Sequence, residues 1–234
     1  MSVRAILTDI EGTTTPIAFV HEVLFPYARA RLASFCAEHR AEAEVATALK
    51  AARDLDGHPD FDLDQTVALL LRWMDEDRKA GPLKTLQGLI WRKGYEEGVL
   101  KGQVYEDAAA LLECWHSQSR KLFVYSSGSE EAQKLIFGYS DKGDMKSLFS
   151  GFFDTRVGAK VERASYEAIA KAVGIAPGNI LFLSDLPAEI IAAKSAGLQV
   201  ARIDRALEID EAHEEDGVLV AGSFVPVDRR IVQA

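Results

Sequence analysis

Four short apolar runs, each closing in polar residues, punctuate the chain: VRAILTDIEG, KLFVYSSGS, NILFLSD and GLQVARID. Runs of this length, bounded by turn-forming residues, read as buried strands. Helix-like segments alternate with the later runs: SEEAQKLIFGY, then ASYEAIAKAVG with a stop at Gly174, then PAEIIAAKSAG, which opens with Pro187 and closes with Gly197. Proline suits a helix start because its missing N–H is not needed there, and glycine suits the left-handed residue just past the end. Strand and helix in alternation predict an α/β fold, a doubly wound parallel sheet with right-handed crossovers.

The stretch from about residue 17 to 103 breaks the alternation. Its apolar positions, among them Leu63, Val67, Leu70, Leu71 and Met74, follow a helical period and no strand pattern stands out. An all-helical domain, 17–103, is therefore expected to be inserted into a sheet core made of 1–16 and 104–234. The final stretch, EIDEAHEEDGVLVAGSFVPVDRRIVQA, begins with an acidic cluster expected to form a solvated loop.

In an open parallel sheet, ligands bind outside the carboxyl ends of the strands, so the residues that close each apolar run belong together. They are Asp9, Glu11 and Thr13 from the first run, Ser126 and Ser127 from the second, and Asp185 from the third. Carboxylates from two strands suit a hard cation such as Mg2+, which prefers oxygen and retains water. Ser126, the turn around Gly128 and the helix that starts near Ser129 suit phosphoryl oxygens. Lys160, in GAKVERASY just before another helix, supplies the counter-charge.

Composition narrows the partner. Across 234 residues, 27 basic side chains against 36 acidic ones leave a net charge of -9, which disfavours nucleic acid and anionic membranes and favours a small ligand. Two cysteines, Cys36 and Cys114, form neither a disulfide framework nor a zinc cluster. With no signal-peptide pattern and no apolar run of membrane-spanning length, a cytoplasmic protein is expected.

DIEGT, VYSSGS, the lysine before a helix and LFLSD together resemble the four motifs of the haloacid dehalogenase-like hydrolase superfamily. Within it, DIEGTTTPIAFVHEVLFPYA, LKTLQGLIW, YSSGSEEAQKLIFG and NILFLSD are similar to the acireductone synthases, the enolase-phosphatases of methionine salvage. The resemblance extends over most of the chain. It implies Mg2+-dependent enolisation of 2,3-diketo-5-methylthiopentyl 1-phosphate, then phosphate release to give the acireductone. It also implies one Mg2+ per subunit, a monomer, and a helical cap that acts as a lid.

Carried onto these residues, the resemblance makes Asp9 the nucleophile that forms an aspartyl-phosphate. Metal ligands would be the Asp9 carboxylate, the Glu11 backbone carbonyl and the Asp185 carboxylate, and Ser126, Ser127 and Lys160 would bind substrate. An anion attacking an anion is opposed: unit charges about 4 Å apart repel by roughly 4 kcal/mol at an effective dielectric near 20, about a thousandfold in rate. Hence the metal is expected to be indispensable. Glu11 stands where most superfamily phosphatases carry a second aspartate, and is expected to move a proton to or from the leaving oxygen, with a further part in enolisation open. Thr13 is expected to order the loop. Glu189 divides between orienting metal-bound water and plain solvation. Trp73, Lys84, Gln87 and Trp91 match the family's cap pattern, but aromatics at such spacings are more often core, so none is taken as a site residue, and His21 is given no role. Two alternatives stay open: a phosphatase or dehalogenase of the same fold for another substrate, and a phosphate-accepting receiver-like module. The acid at Glu11 favours ester chemistry over dehalogenation, because halide leaves without a proton.

Overall fold

The computed structural model describes residues 2–232. The chain forms two compact units, Met1–Ile17 with Lys101–Ala234, and Ala18–Leu100. The first unit holds strand β1 (Ala5–Thr8). The second contains α1 (Phe25–His39), α2 (Ala43–Asp56), α3 (Leu63–Asp75) and α4 (Gly81–Glu96). The first unit then resumes with α5 (Glu106–Ser117), β2 (Lys121–Tyr125), α6 (Glu130–Gly138), β3 (Phe149–Phe153) and α7 (Arg163–Val173). It is completed by β4 (Ile180–Ser184), α8 (Pro187–Ser195), β5 (Gln199–Ile203), β6 (Ala212–Glu215), β7 (Val218–Ala221) and α9 (Phe224–Val227).

The strands make one sheet in the order β3-β2-β1-β4-β5-β7-β6. β1 is central, paired in parallel with β2 on one side, Leu7 opposite Phe123, and with β4 on the other, Leu7 opposite Phe182. Chain order reverses direction across the sheet at β1, and the carboxyl-end crevice of such a switch point is where ligands bind. Both faces of these strands are covered. Ala5, Leu7, Phe123, Tyr125, Ile180 and Phe182 pack with Tyr166 and Ile169 of α7 and Ile190 and Ala193 of α8. Their neighbours Ile6, Leu122, Val124, Leu181 and Leu183 are equally buried and, by the alternation of a strand, face the other way.

Gly174 and Gly197 both have positive φ, +70° and +86°, just past α7 and α8, as the glycine stops predict. Three strands were not legible. β3, FSGFF, is short and split by Gly151, where the pairing with β2 slips. β6 and β7 correct the expectation of a solvated loop: Ala212–Glu215, within the acidic stretch, forms an antiparallel edge strand on β7, which runs parallel to β5. Charged side chains are common on an edge because they deter further pairing.

The helical unit has its own core, in which Leu32, Cys36, Val45, Leu70, Trp73 and Leu86 meet. α3 opens with a capping box: Asp62 accepts from the Gln65 N–H at 2.9 Å, and the Gln65 side chain accepts from the Asp62 N–H at 2.9 Å. Trp73 is wholly buried there, and the half-buried Trp91 donates to the Leu24 carbonyl at 2.8 Å. Among the described residues, no helix is long and apolar enough to cross a membrane.

Candidate active site

Asp9 follows β1 and its N–H bonds the Leu183 carbonyl of β4 at 2.9 Å, so the strand ladder continues one residue to set its place. Its carboxylate meets the Lys160 ammonium at 2.6 Å, and the same ammonium meets Glu189 at 2.7 Å. These side chains are 6%, 9% and 5% exposed, a carboxylate–ammonium–carboxylate triad out of water. Burial pushes the Asp9 carboxyl up to about 7; Lys160 opposes the rise and the charge of Glu189 adds to it. For Lys160, burial alone would favour the neutral amine, but the Asp9 and Glu189 carboxylates outweigh it and hold the ammonium above its ordinary value. Glu189 is thus not a solvated surface acid. Its Oε2 also accepts the Ser184 hydroxyl at 2.7 Å, which fixes it under the lysine.

Lys160 reaches the triad from the β3–α7 loop, and hydroxyls hold that loop. Tyr125 donates to the Gly158 carbonyl at 3.0 Å, Ser165 to Ala159 at 2.7 Å and Tyr166 to Lys160 itself at 2.6 Å. Gly158 must be glycine: φ is +141° and a Cβ would lie 2.2 Å from the Ser165 hydroxyl.

Asp185 follows β4. A Cβ on Gly12, at φ +72°, would lie 2.4 Å from its Oδ2, so glycine lets the first loop close onto this carboxyl group. Asp185 Oδ1 is sealed from solvent and has no hydrogen-bond partner. Burial raises its pKa, as do the charges of Glu189 and Glu11, against the pull of a backbone N–H and Lys160. An orphaned buried carboxylate oxygen, with a second carboxylate and loop carbonyls at the same sheet end, is a donor set that fits an oxygen-preferring divalent cation. Among the described residues no three His, Cys, Asp or Glu side chains form a metal cluster by themselves. Such an ion would take water or substrate oxygens to complete its shell.

Ser126 closes β2 and is buried, and its Oγ accepts the Gly128 N–H at 3.2 Å, which leaves the hydroxyl hydrogen to donate. Ser127 is exposed. Ser129 caps α6 through Ala132, directing that helix start toward the Ser126 turn. Gln133, fully buried and not anticipated, donates to the carbonyls of Gly128 and Phe153, both at 2.8 Å, and ties the turn to β3. The first loop is ordered by Thr14, whose hydroxyl donates to the Asp9 carbonyl at 3.1 Å. The hydroxyl of Thr13 is buried with no hydrogen-bond partner, so the loop-ordering role expected of Thr13 falls to its neighbour. Glu11 is half-buried on that loop. His21 is exposed on the π-helical turn Phe19–Leu24 of the other unit.

The model of the haloacid dehalogenase-like hydrolase family matches residues 3–197, and that is the class this sheet and its strand-end residues define. The enolase-phosphatase E1 of Parvibaculum lavamentivorans is 61% identical over 98% of this chain and 97% of its own length. That of Serratia proteamaculans is 54% identical over 97% of each. The crystal structure of the UTR4 protein from Saccharomyces cerevisiae matches with a TM-score of 0.79 at 34% identity, covering 95% of this chain and 99% of that one. The L-2-haloacid dehalogenase of Xanthobacter autotrophicus, at 18% identity and a TM-score of 0.54 over 98% of this chain and 99% of its own, shares the fold. This chain belongs to the haloacid dehalogenase-like hydrolases and, among them, to the enolase-phosphatase E1 family.

Proposed function

We propose that the chain is the enolase-phosphatase of methionine salvage, converting 2,3-diketo-5-methylthiopentyl 1-phosphate to its acireductone with release of phosphate. The observation that carries the phosphatase half is the buried Asp9–Lys160–Glu189 triad beside a carboxylate with an orphaned oxygen. Asp9 is the nucleophile: one carboxylate oxygen bonds to phosphorus as the bond from phosphorus to the leaving oxygen breaks. Glu11 gives its proton to that oxygen. Water then attacks the aspartyl-phosphate, Glu11 takes the proton back, and Asp9 is regenerated. Lys160 keeps Asp9 oriented and offsets the charge of the phosphoryl group, while the Ser126 hydroxyl and the α6 start bind its oxygens. Ser127 is proposed as a second contact.

Mg2+ fits the Asp9 carboxylate, the Glu11 carbonyl and the Asp185 carboxylate, one ion per subunit, and when bound supplies the positive charge that lets a carboxylate approach a phosphate. The sheet unit is proposed as the catalytic core and the helical unit as the cap domain. A cytoplasmic monomer completes the proposal.

The test mixes the purified protein with the diketone phosphate and Mg2+ and follows enol absorbance and free phosphate together. Both signals should rise, EDTA should stop phosphate release, and Asp9→Asn should lower it by about 10⁴-fold or more, as expected for loss of a covalent nucleophile. Turnover of simple phosphate esters but not of this compound would keep Asp9 and move the substrate elsewhere.

A further inference from the structure

The loop after β1 turns on a single carbonyl: that of Ile10 accepts the N–H groups of Thr13 at 3.2 Å and of Thr14 and Thr15, each at 2.9 Å. Two carbonyls further along are taken by distant parts of the chain. The Tyr105 N–H bonds Thr14 at 2.9 Å, and Arg205, in the turn after β5, donates to the Thr13 carbonyl through both Nε and a terminal nitrogen. The Thr13 side chain makes no hydrogen bond in its buried position, so at this residue the loop is held through its backbone alone, the N–H on Ile10 and the carbonyl on Arg205. Arg205 is itself locked. Its other terminal nitrogen meets both oxygens of Asp107 at 2.8 and 2.9 Å, its plane lies 4.0 Å over the Tyr105 ring, and Asp107 also accepts the Phe224 N–H at 2.8 Å. Both side chains are largely buried, 15% and 6% exposed. Such a pair costs desolvation to assemble, and an exposed helix-to-turn tie would not need it.

We infer that Arg205 is a positioning residue for Glu11: by pinning the carbonyl two residues after it, the guanidinium holds the loop so that the Glu11 carboxyl group stays on the leaving oxygen. This rests on the reading of Glu11 as the proton carrier. A planar fork can bind the Thr13 carbonyl and both Asp107 oxygens at once; an ammonium cannot span them. Small displacements of a catalytic group carry large rate penalties, so a lysine here should be felt in the chemical step.

A double-mutant cycle tests the inference on the full-length protein with the diketone phosphate at saturating Mg2+, reading kcat and KM for phosphate release. Arg205→Lys should lower kcat roughly tenfold to a hundredfold with little change in KM. Combined with Glu11→Gln, it should cost no more than Glu11→Gln alone, within about twofold, because both changes remove the same proton transfer. Wild-type kcat in Arg205→Lys, or losses that multiply in the double variant, would overturn the inference while leaving Glu11 its role. Full activity of Glu11→Gln would instead remove that role, and the inference with it. Where Arg205→Lys does not fold, Asp107→Asn enters the same cycle, since it loosens the fork yet keeps an acceptor for Phe224. If neither folds, the pair serves stability alone and the inference fails.

Discussion

The two units treat charge in opposite ways. In the helical unit the hydrophobic core carries no ion pair among the described residues: Arg29–Asp75 has side chains 45% and 63% exposed and Lys50–Asp54 71% and 47%, and Asp56, at 13%, reaches arginines that are themselves 57% and 38% exposed. At the carboxyl ends of the sheet the same chemical types are sealed in, Asp9, Lys160 and Glu189 together and Asp107 with Arg205. An exposed pair is worth about 0–1 kcal/mol, whereas removing one member of a buried set costs about 3–5 kcal/mol because it strands the others. The lesson is that burial fixes orientation: a solvent-exposed triad would hold neither an aspartate nor a lysine in one orientation.

Lys160→Met should show the contrast at its largest. It leaves Asp9 and Glu189 buried without their common cation, so unfolding in urea should come about 3–5 kcal/mol sooner, and phosphate release should be lost as well. A loss below about 1 kcal/mol would mean that water reaches the triad. Leu70→Ala, in the apolar interior of the helical unit, should cost about 2–5 kcal/mol by cavity formation, visible as a lower Tm. A near-neutral result would show that this interior collapses around the gap.

An intermediate effect should appear at Asp154, at the end of β3. Burial alone would raise its pKa, but the Arg156 guanidinium at 2.9 Å and backbone N–H groups outweigh it and hold the carboxyl below its ordinary 3.8. A depressed folded value means that the stabilisation is present above 3.8 and is lost as pH falls through the folded value. Asp154→Asn should therefore lower Tm most at neutral pH, with the difference from the unaltered protein shrinking as pH falls through the folded value, so that the acid limb of Tm against pH flattens. An unchanged limb would place the acid sensitivity elsewhere. Smallest of all, Arg29→Ala should shift unfolding by no more than about 0.5 kcal/mol and lose even that in high salt. A larger loss would erase the distinction between the units.

Much of the site was legible because its parts sit at strand ends. Asp9, Ser126 and Asp185 each follow an apolar run that is unmistakable in its local pattern, and Lys160 precedes a clear helix. Glu189 is ambiguous in sequence, since one glutamate in the first turn of a helix looks the same whether it faces water or a lysine 29 positions earlier. Gln133 and Arg205 gave no signal: a glutamine within a helix and an arginine in an acidic turn are ordinary until their partners are known. β6 is hidden in the sequence for a related reason, as HEE carries no strand alternation and pairs only because β7 is beside it.

Residue order alone settled the alternating architecture, the helical insertion and the acids that close the strands, because sterics and period act over a few neighbouring residues. Folding settled which of those residues meet. The sheet order β2-β1-β4 brings positions 9, 126 and 185 to one edge, and packing carries Arg205 onto the Thr13 carbonyl, 192 residues away along the chain. Contacts of that span depend on how whole elements pack, so no local pattern encodes them.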